Sequence, residues 1–362
     1  MSHIKLHIPG PVEVSESTFR AFCRPMVGHR GQGFKDLVAK VQPQLQSLLG
    51  TRQSVYLATS SAWGVMEGAL RNLTRRKVLN CMKGAFSDKW LEVAGRCGKA
   101  AEPLQVPWGS PILPAQIDAK LATGQFDSLT LIHNETSTGT MSPLEEIAAL
   151  KRKYPEVMFI VDAVSSMSAV PLAFDELGID VLLAGTQKAF ALPPGLTIFT
   201  VSPAALAKAS GTSDRGYYFD FVEFEKYAAE HMTPSTPSIS HVHALSSKLD
   251  EFFAEGLERR YARHRQTNQM IRDWALGHGF TLFPEAGHES LTLCCINNGA
   301  KPGGRTVDAA GLQRLTKEAG FLIDGGYGKI KGTTFRISNM GDETTESMGR
   351  LMAALDHSLA RL

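Results

Sequence analysis

The stretch DVLLAGTQKAFALPPGL, Asp180 to Leu196, decides how this chain is read. An apolar run leads into small residues, then a lone lysine, then Pro193–Pro194–Gly195. Most lysines are solvated surface charges, because burying an uncompensated ammonium is costly. Lys188 instead ends a segment apolar enough to be a buried strand. The turn behind it is stiff, since each proline fixes φ and Gly195 permits what other residues resist. The run is also one of a series. SVYLATS, KVLNCM, SLTLIHNE, VMFIVDAV, VLLAGT and LTIFTVS alternate with helical patterns between residues 54 and 202. GVMEGALRNL is one such pattern, and SPLEEIAALKRKYP is another, acidic early and basic late as the helix dipole favours. Strand–helix alternation of this kind predicts an α/β fold, a mostly parallel central sheet with helices on both faces. Ligands of such sheets gather beyond the carboxyl ends of the strands.

The pattern changes after about residue 250. DEFFAEGLERRYARHRQTNQMIRDWALGHG reads as one long charged amphipathic helical stretch. A strand (LTLCCIN), a helix across TVDAAGLQRLTKEAG, two strands (FLID and TFRIS) and a final helix, TTESMGRLMAALDHSLARL, follow. The expected organisation is a large domain over 1–250 and a smaller α+β C-terminal domain over 251–362. No low-complexity linker separates them, so they should be closely joined.

Composition narrows the function classes. The 362 residues are 43% hydrophobic and 20% charged, with a net charge of +2 and no dense Lys/Arg block. That argues against nucleic acid or anionic membrane as partner. The chain does not open on a charged-then-apolar signal pattern, and no apolar run approaches the ~20 residues of a membrane span. Cys23, Cys81, Cys97, Cys294 and Cys295 are odd in number and scattered, with no C-x-x-C pair. They suggest a reducing, cytoplasmic setting and no metal site. P-loop, G-x-S-x-G and H-E-x-x-H motifs are all missing.

Three apolar runs end in polar residues that the sheet would bring to one rim. Asp162 follows one run, Gln187 and Lys188 another, and His133 to Ser137 a third. An acid and a lysine at neighbouring strand ends also suit a structural ion pair. Together they suit more specific chemistry. A desolvated lysine forms Schiff bases with carbonyl substrates or pyridoxal phosphate, and that cofactor needs an acid beside its ring nitrogen to act as an electron sink. TSSAWG, residues 59–64, lies between a strand and a helix, where backbone N–H groups can cradle a phosphate; an ordinary serine N-cap is the alternative.

LIHNETSTGTMSPL, VDAVSSMSAVPL, IDVLLAGTQKAFALPPGL and FRISNMG, with IPGPVEV and GHRGQGF near the start, resemble the class V aminotransferases of fold type I, in particular the alanine/serine–glyoxylate branch. The resemblance covers nearly the whole chain. It implies pyridoxal phosphate as cofactor, held by Lys188 as a Schiff base, with Asp162 at the pyridine nitrogen and Phe86 stacked on the ring. Thr136 matches the residue near the ring hydroxyl. Ser61, Ala62, Trp63 and Gln187 match the phosphate site, although Ala62 and Trp63 replace the usual Gly and Thr. Arg336 matches the clamp for the substrate α-carboxylate, a role suited to its planar fork. Gly10 lies near the substrate, with segment 1–15 packed by the active site. Thr236 matches a residue that crosses a homodimer interface to the partner's phosphate. The implied reaction moves an amino group from alanine or serine to glyoxylate or pyruvate. Phosphoserine or aspartate donors are alternatives, as are a lyase such as a cysteine desulfurase and a non-catalytic homologue. A desulfurase needs a loop cysteine, and Asn298 to Phe335 contains none. His29–Arg30 reads as structural or near the site entrance, His241 and His243 receive no role, and DGGYGKIKG reads as a mobile loop near the site.

Overall fold

Seven strands form the central sheet of this computed structural model, which describes residues 3–299 and 306–362. They are β1 (Val55–Ala58), β2 (Val78–Met82), β3 (Ala101–Gln105), β4 (Ser128–Ile132), β5 (Met158–Asp162), β6 (Val181–Gly185) and β7 (Thr197–Val201). Their order across the sheet is β1-β7-β6-β5-β4-β2-β3. All pairings are parallel except those of β7, which runs antiparallel to both neighbours. Every residue of β1, β2, β4, β5, β6 and β7 is buried, so these strands read as continuous apolar runs rather than alternating ones. The sequence reading passes over β3, AEPLQ. It lies half-exposed at the sheet edge, where Pro103 is tolerated because an edge need not donate.

Helices cover both faces. One buried layer includes Phe34, Leu45, Leu131, Val161 and Leu245; the opposite layer includes Val65, Leu70, Trp90, Ile160 and Phe199. A third cluster is built wholly from residues at or beyond Ile271 and surrounds the antiparallel pair Leu293–Asn297 and Thr334–Ser338.

Three local expectations change. The helix expected across SPLEEIAALKRKYP is α-helical only over Leu144–Ala148 and continues as a 3₁₀ turn, Ala149–Arg152. Pro155 disfavours helix at the residue before it, and the last turn tightens. The long charged stretch is two helices, Ile239–Glu255 and Leu257–Gly277. Gly256 breaks them with φ +85, a left-handed value that other residues resist. Residue 250, the expected domain boundary, lies inside the first of these helices. Phe321–Leu322 pairs in parallel with Lys5–Leu6 from the N-terminus.

That last pairing starts a strap. After Lys5–Leu6 the His7 carbonyl accepts from Ser338 N, and Val12 N donates to Gln187 O at 3.1 Å. Between them the chain passes directly over Lys188. Of the segment expected to pack by the active site, residues 1 and 2 lie outside the described part.

Candidate active site

The strand register places the chemistry. Asp162, the last residue of β5, pairs with Ile132 of β4 on one side and Leu183 of β6 on the other. Beyond β6 the chain turns back toward β7. Thr186 Oγ1 donates to the carbonyls of Pro193 and Leu196, each at 3.1 Å, and Ala191 N donates to Lys188 O at 2.8 Å. Ala191 takes a left-handed φ of +53. His241 supports this turn from outside. Its Nε2 lies 3.1 Å from the Pro194 carbonyl, and a Cβ on Gly195 would come within about 3.0 Å of its ring. The stiff Pro-Pro-Gly turn is thereby fixed at both ends.

Lys188 is buried, and its Nζ donates to the Pro9 carbonyl of the strap. Gly10 has φ +108, and a Cβ there would lie 2.6–2.9 Å from Lys188 Cδ, Cε and Nζ. Only glycine allows the strap to pass so close to the lysine.

A cavity of about 380 Å³ opens beside Lys188. Gly10, Ser61, Ala62, Trp63, Phe86, Thr136, Asp162, Gln187 and Lys188, all singled out by sequence, lie on its wall together with Asn134 and Tyr327. Two expected residues lie off that wall. Arg336 sits beside it, with Cζ 5.3 Å from the Tyr327 ring, and donates to Thr136 O at 2.7 Å and Asp324 Oδ1 at 2.8 Å. Thr236 is exposed, 3.5 Å from His29 Nε2. Its loop is held by Arg30, which donates to the carbonyls of Thr233 and Pro234.

Burial sets the electrostatics. The Asp162 carboxyl is pushed up to about 7 by desolvation, opposed by the Val164 N–H that it accepts at 2.9 Å. The Trp90 indole N–H also favours its charged form, although that nitrogen has no partner in hydrogen-bond geometry. Desolvation, helped by the Arg336 charge, holds the Lys188 ammonium down to about 8. Glu135 is buried and saturated, accepting from Ser87 N and from Ser137 N and Oγ.

Pyridoxal phosphate fits these residues. The buried Asp162 would gain the cation it lacks from a protonated ring nitrogen. Helix Ala62–Leu73 turns its N-terminus to the cavity, where N–H groups without intrahelical partners favour an anion. The Ser61 hydroxyl makes no capping bond and is open to a phosphate. Phe86 supplies an apolar wall, and Asn134 Oδ1 is a buried acceptor with no partner.

Sequence reasoning missed Tyr327 and Asp324. Tyr327 stacks on Phe86 at 5.0 Å and 19°. An aromatic within the glycine-rich DGGYGKIKG was the available signal. It also missed Arg260, which is 1% exposed and donates to Ser168 O at 2.9 Å and Ala189 O at 2.6 Å. Ser168 has φ +70, so this one side chain ties down a left-handed turn and the residue after Lys188. Arg260→Met leaves both buried carbonyls without a donor. It should lower stability by about 2–5 kcal/mol in denaturant unfolding, and Arg260→Lys by less.

Known proteins resemble the chain over nearly its whole length. The family model described as Aminotransferase class-V matches residues 18–298. The soluble hydrogenase small subunit of a Synechococcus strain is 32% identical, covering 99% of this chain and 93% of that protein. The serine–glyoxylate aminotransferase of Methylorubrum extorquens is 30% identical, covering 98% and 90%. The crystal structure of a subgroup IV aspartate aminotransferase from Thermus thermophilus superposes with a TM-score of 0.89 at 29% identity, covering 99% of both chains.

Proposed function

The chain belongs to the class-V aminotransferases, which depend on pyridoxal phosphate, and on that footing we propose that it moves an amino group from a small neutral amino acid, alanine or serine, to glyoxylate or pyruvate. The observation that carries the reading is the meeting of Lys188, Asp162 and a helix N-terminus around one cavity.

Bound pyridoxal phosphate supplies the electron sink for the charge left when the donor α-carbon loses its proton. The remaining tasks fall to the chain. Asp162 holds the proton on the ring nitrogen. Lys188 Nζ, whose burial leaves much of it neutral near pH 8, is placed to take the α-proton and would be the group that returns it on the cofactor side of the amino nitrogen. Arg336 binds the α-carboxylate. Its Nε and one Nη1 hydrogen are committed, so three N–H groups remain for two parallel bonds. Phe86 and the Gly10 strap keep water from the reacting carbon.

The neutral donor rests on charge. Among the described residues Lys188 is the one cation on the cavity wall, and the serine–glyoxylate relative is named for such a donor. A desulfurase reading is disfavoured by the buried Cys294 and Cys295 thiols, each pushed up to about 12 by desolvation. The proposal includes a homodimer in which Thr236, on its Arg30-held loop, reaches the partner's phosphate site, and a reducing cytoplasmic setting for its free cysteines. Among the described residues no helix is long and apolar enough to cross a membrane.

A donor panel tests the substrate. Alanine, serine, aspartate and phosphoserine are mixed singly with the loaded enzyme, and the loss of its visible absorbance is timed. Alanine or serine should react with the highest kcat/KM. A faster reaction with aspartate or phosphoserine overturns the assignment.

A further inference from the structure

We propose that Asp324 is a specificity-determining residue that turns away donors and acceptors bearing a second carboxylate. The inference deepens the small-neutral-donor reading above and rests on the site being that of an aminotransferase.

The observation is an ion pair built into the substrate clamp. Asp324 and Arg336 exchange backbone hydrogen bonds, Asp324 N to Arg336 O at 3.0 Å and Arg336 N to Asp324 O at 2.8 Å. Across this bridge Arg336 Nε donates to Asp324 Oδ1 at 2.8 Å, and the same oxygen accepts from Gly326 N at 2.8 Å. The other oxygen, Oδ2, has no hydrogen bond among the described residues. The Asp324 side chain is 26% exposed where that of Arg336 is 4%, so this carboxylate is accessible and not sealed in the core. It also acts on the reacting centre, since its charge is among those that favour the Lys188 ammonium.

The charges around the site can be assigned in turn. Asp162 answers the ring nitrogen, Lys188 serves the reacting carbon, and Arg336 takes the donor α-carboxylate. The phosphate rests on a helix N-terminus. Glu135 is saturated by its own N–H and O–H donors. Asp324 is the carboxylate left over, set against the one arginine that a second substrate carboxylate would seek. An acidic side chain therefore meets an anion where Lys188 is, among the described residues, the one cation on the cavity wall, while a neutral side chain meets no such repulsion. Tyr327, 5.3 Å from the Arg336 Cζ and stacked on Phe86, closes the same corner with an uncharged ring.

Asp324→Asn keeps an oxygen for Arg336 Nε and Gly326 N and removes the charge. Half-reactions of the loaded enzyme with alanine and aspartate should show the aspartate-to-alanine ratio of kcat/KM rising at least about tenfold in the variant, whatever the change in the alanine rate itself. If both donors lose rate together and the ratio stays fixed, Asp324 only holds Arg336 and the proposal is wrong. A measurement on wild type needs no variant. Propionate should perturb the visible absorbance of the loaded enzyme at a concentration at least about tenfold lower than succinate, and equal binding overturns the proposal. The donor assignment fails separately. A wild type that prefers aspartate refutes alanine or serine as donor, yet a ratio that still climbs in Asp324→Asn upholds the role of Asp324.

Discussion

Lys188→Ala should lower transamination by at least about 10²- to 10⁴-fold, the range that positioned proton transfer alone provides. The lysine has two tasks, holding the cofactor and moving the α-proton, and alanine removes both. Borohydride should fix cofactor to residue 188 in wild type and to no residue in the variant, as read by peptide mass. The variant should still bind the cofactor, because Asp162, Phe86 and the N-terminus of helix Ala62–Leu73 remain on the cavity wall. Folding is not at stake, since the desolvated ammonium forms no ion pair among the described residues and its removal takes only one donor, that to the Pro9 carbonyl. Small primary amines added to the variant should restore part of the rate, which a merely misfolded protein would not allow. Borohydride labelling at another lysine, or a variant within tenfold of wild type, would refute the assignment of Lys188.

How far these residues are legible in sequence depends on how local their signals are. Lys188 and Asp162 each end a continuous apolar run, and a parallel sheet brings such ends to one rim whatever the intervening loops do. Asp324 and Tyr327 have no such run. Their place is set by the pairing of Phe321–Leu322 with Lys5–Leu6 and by the bridge to Arg336, contacts between distant parts of the chain that no periodicity announces. Arg260 lies in a stretch rich in arginine, and nothing local separates it from the exposed Arg259. Gly256 reads as a tolerated glycine in a helical pattern, and only its left-handed φ shows that it divides two helices. His241 gained a role because the turn it supports is remote from it in sequence. Apart from Gly256, what was missed depends on tertiary contact, and what was read depends on strand periodicity.

Asp162→Asn should have opposite effects on the stripped and the loaded protein. Without cofactor, the Asp162 carboxyl titrates near 7 because desolvation disfavours its charge. Its ordinary range is near 4. Between those values the folded state binds more protons than the unfolded state, so this group's contribution to stability falls as pH rises from about 4 to about 7 and is constant above. Asparagine carries no such dependence. The stripped variant should therefore match wild type near pH 4 and be more stable above pH 7, by a few kcal/mol at most. With cofactor the sign reverses. The protonated ring nitrogen then faces a neutral amide, and losing one partner of a buried pair costs about 3–5 kcal/mol, or roughly 10²- to 10⁴-fold in cofactor affinity. Thermal unfolding of both proteins across pH 4 to 9, with and without saturating cofactor, separates the two effects. A stripped variant less stable than wild type at pH 8 would mean that Asp162 already has a cationic partner in the empty site, and the acid–ring pairing would lose its physical basis.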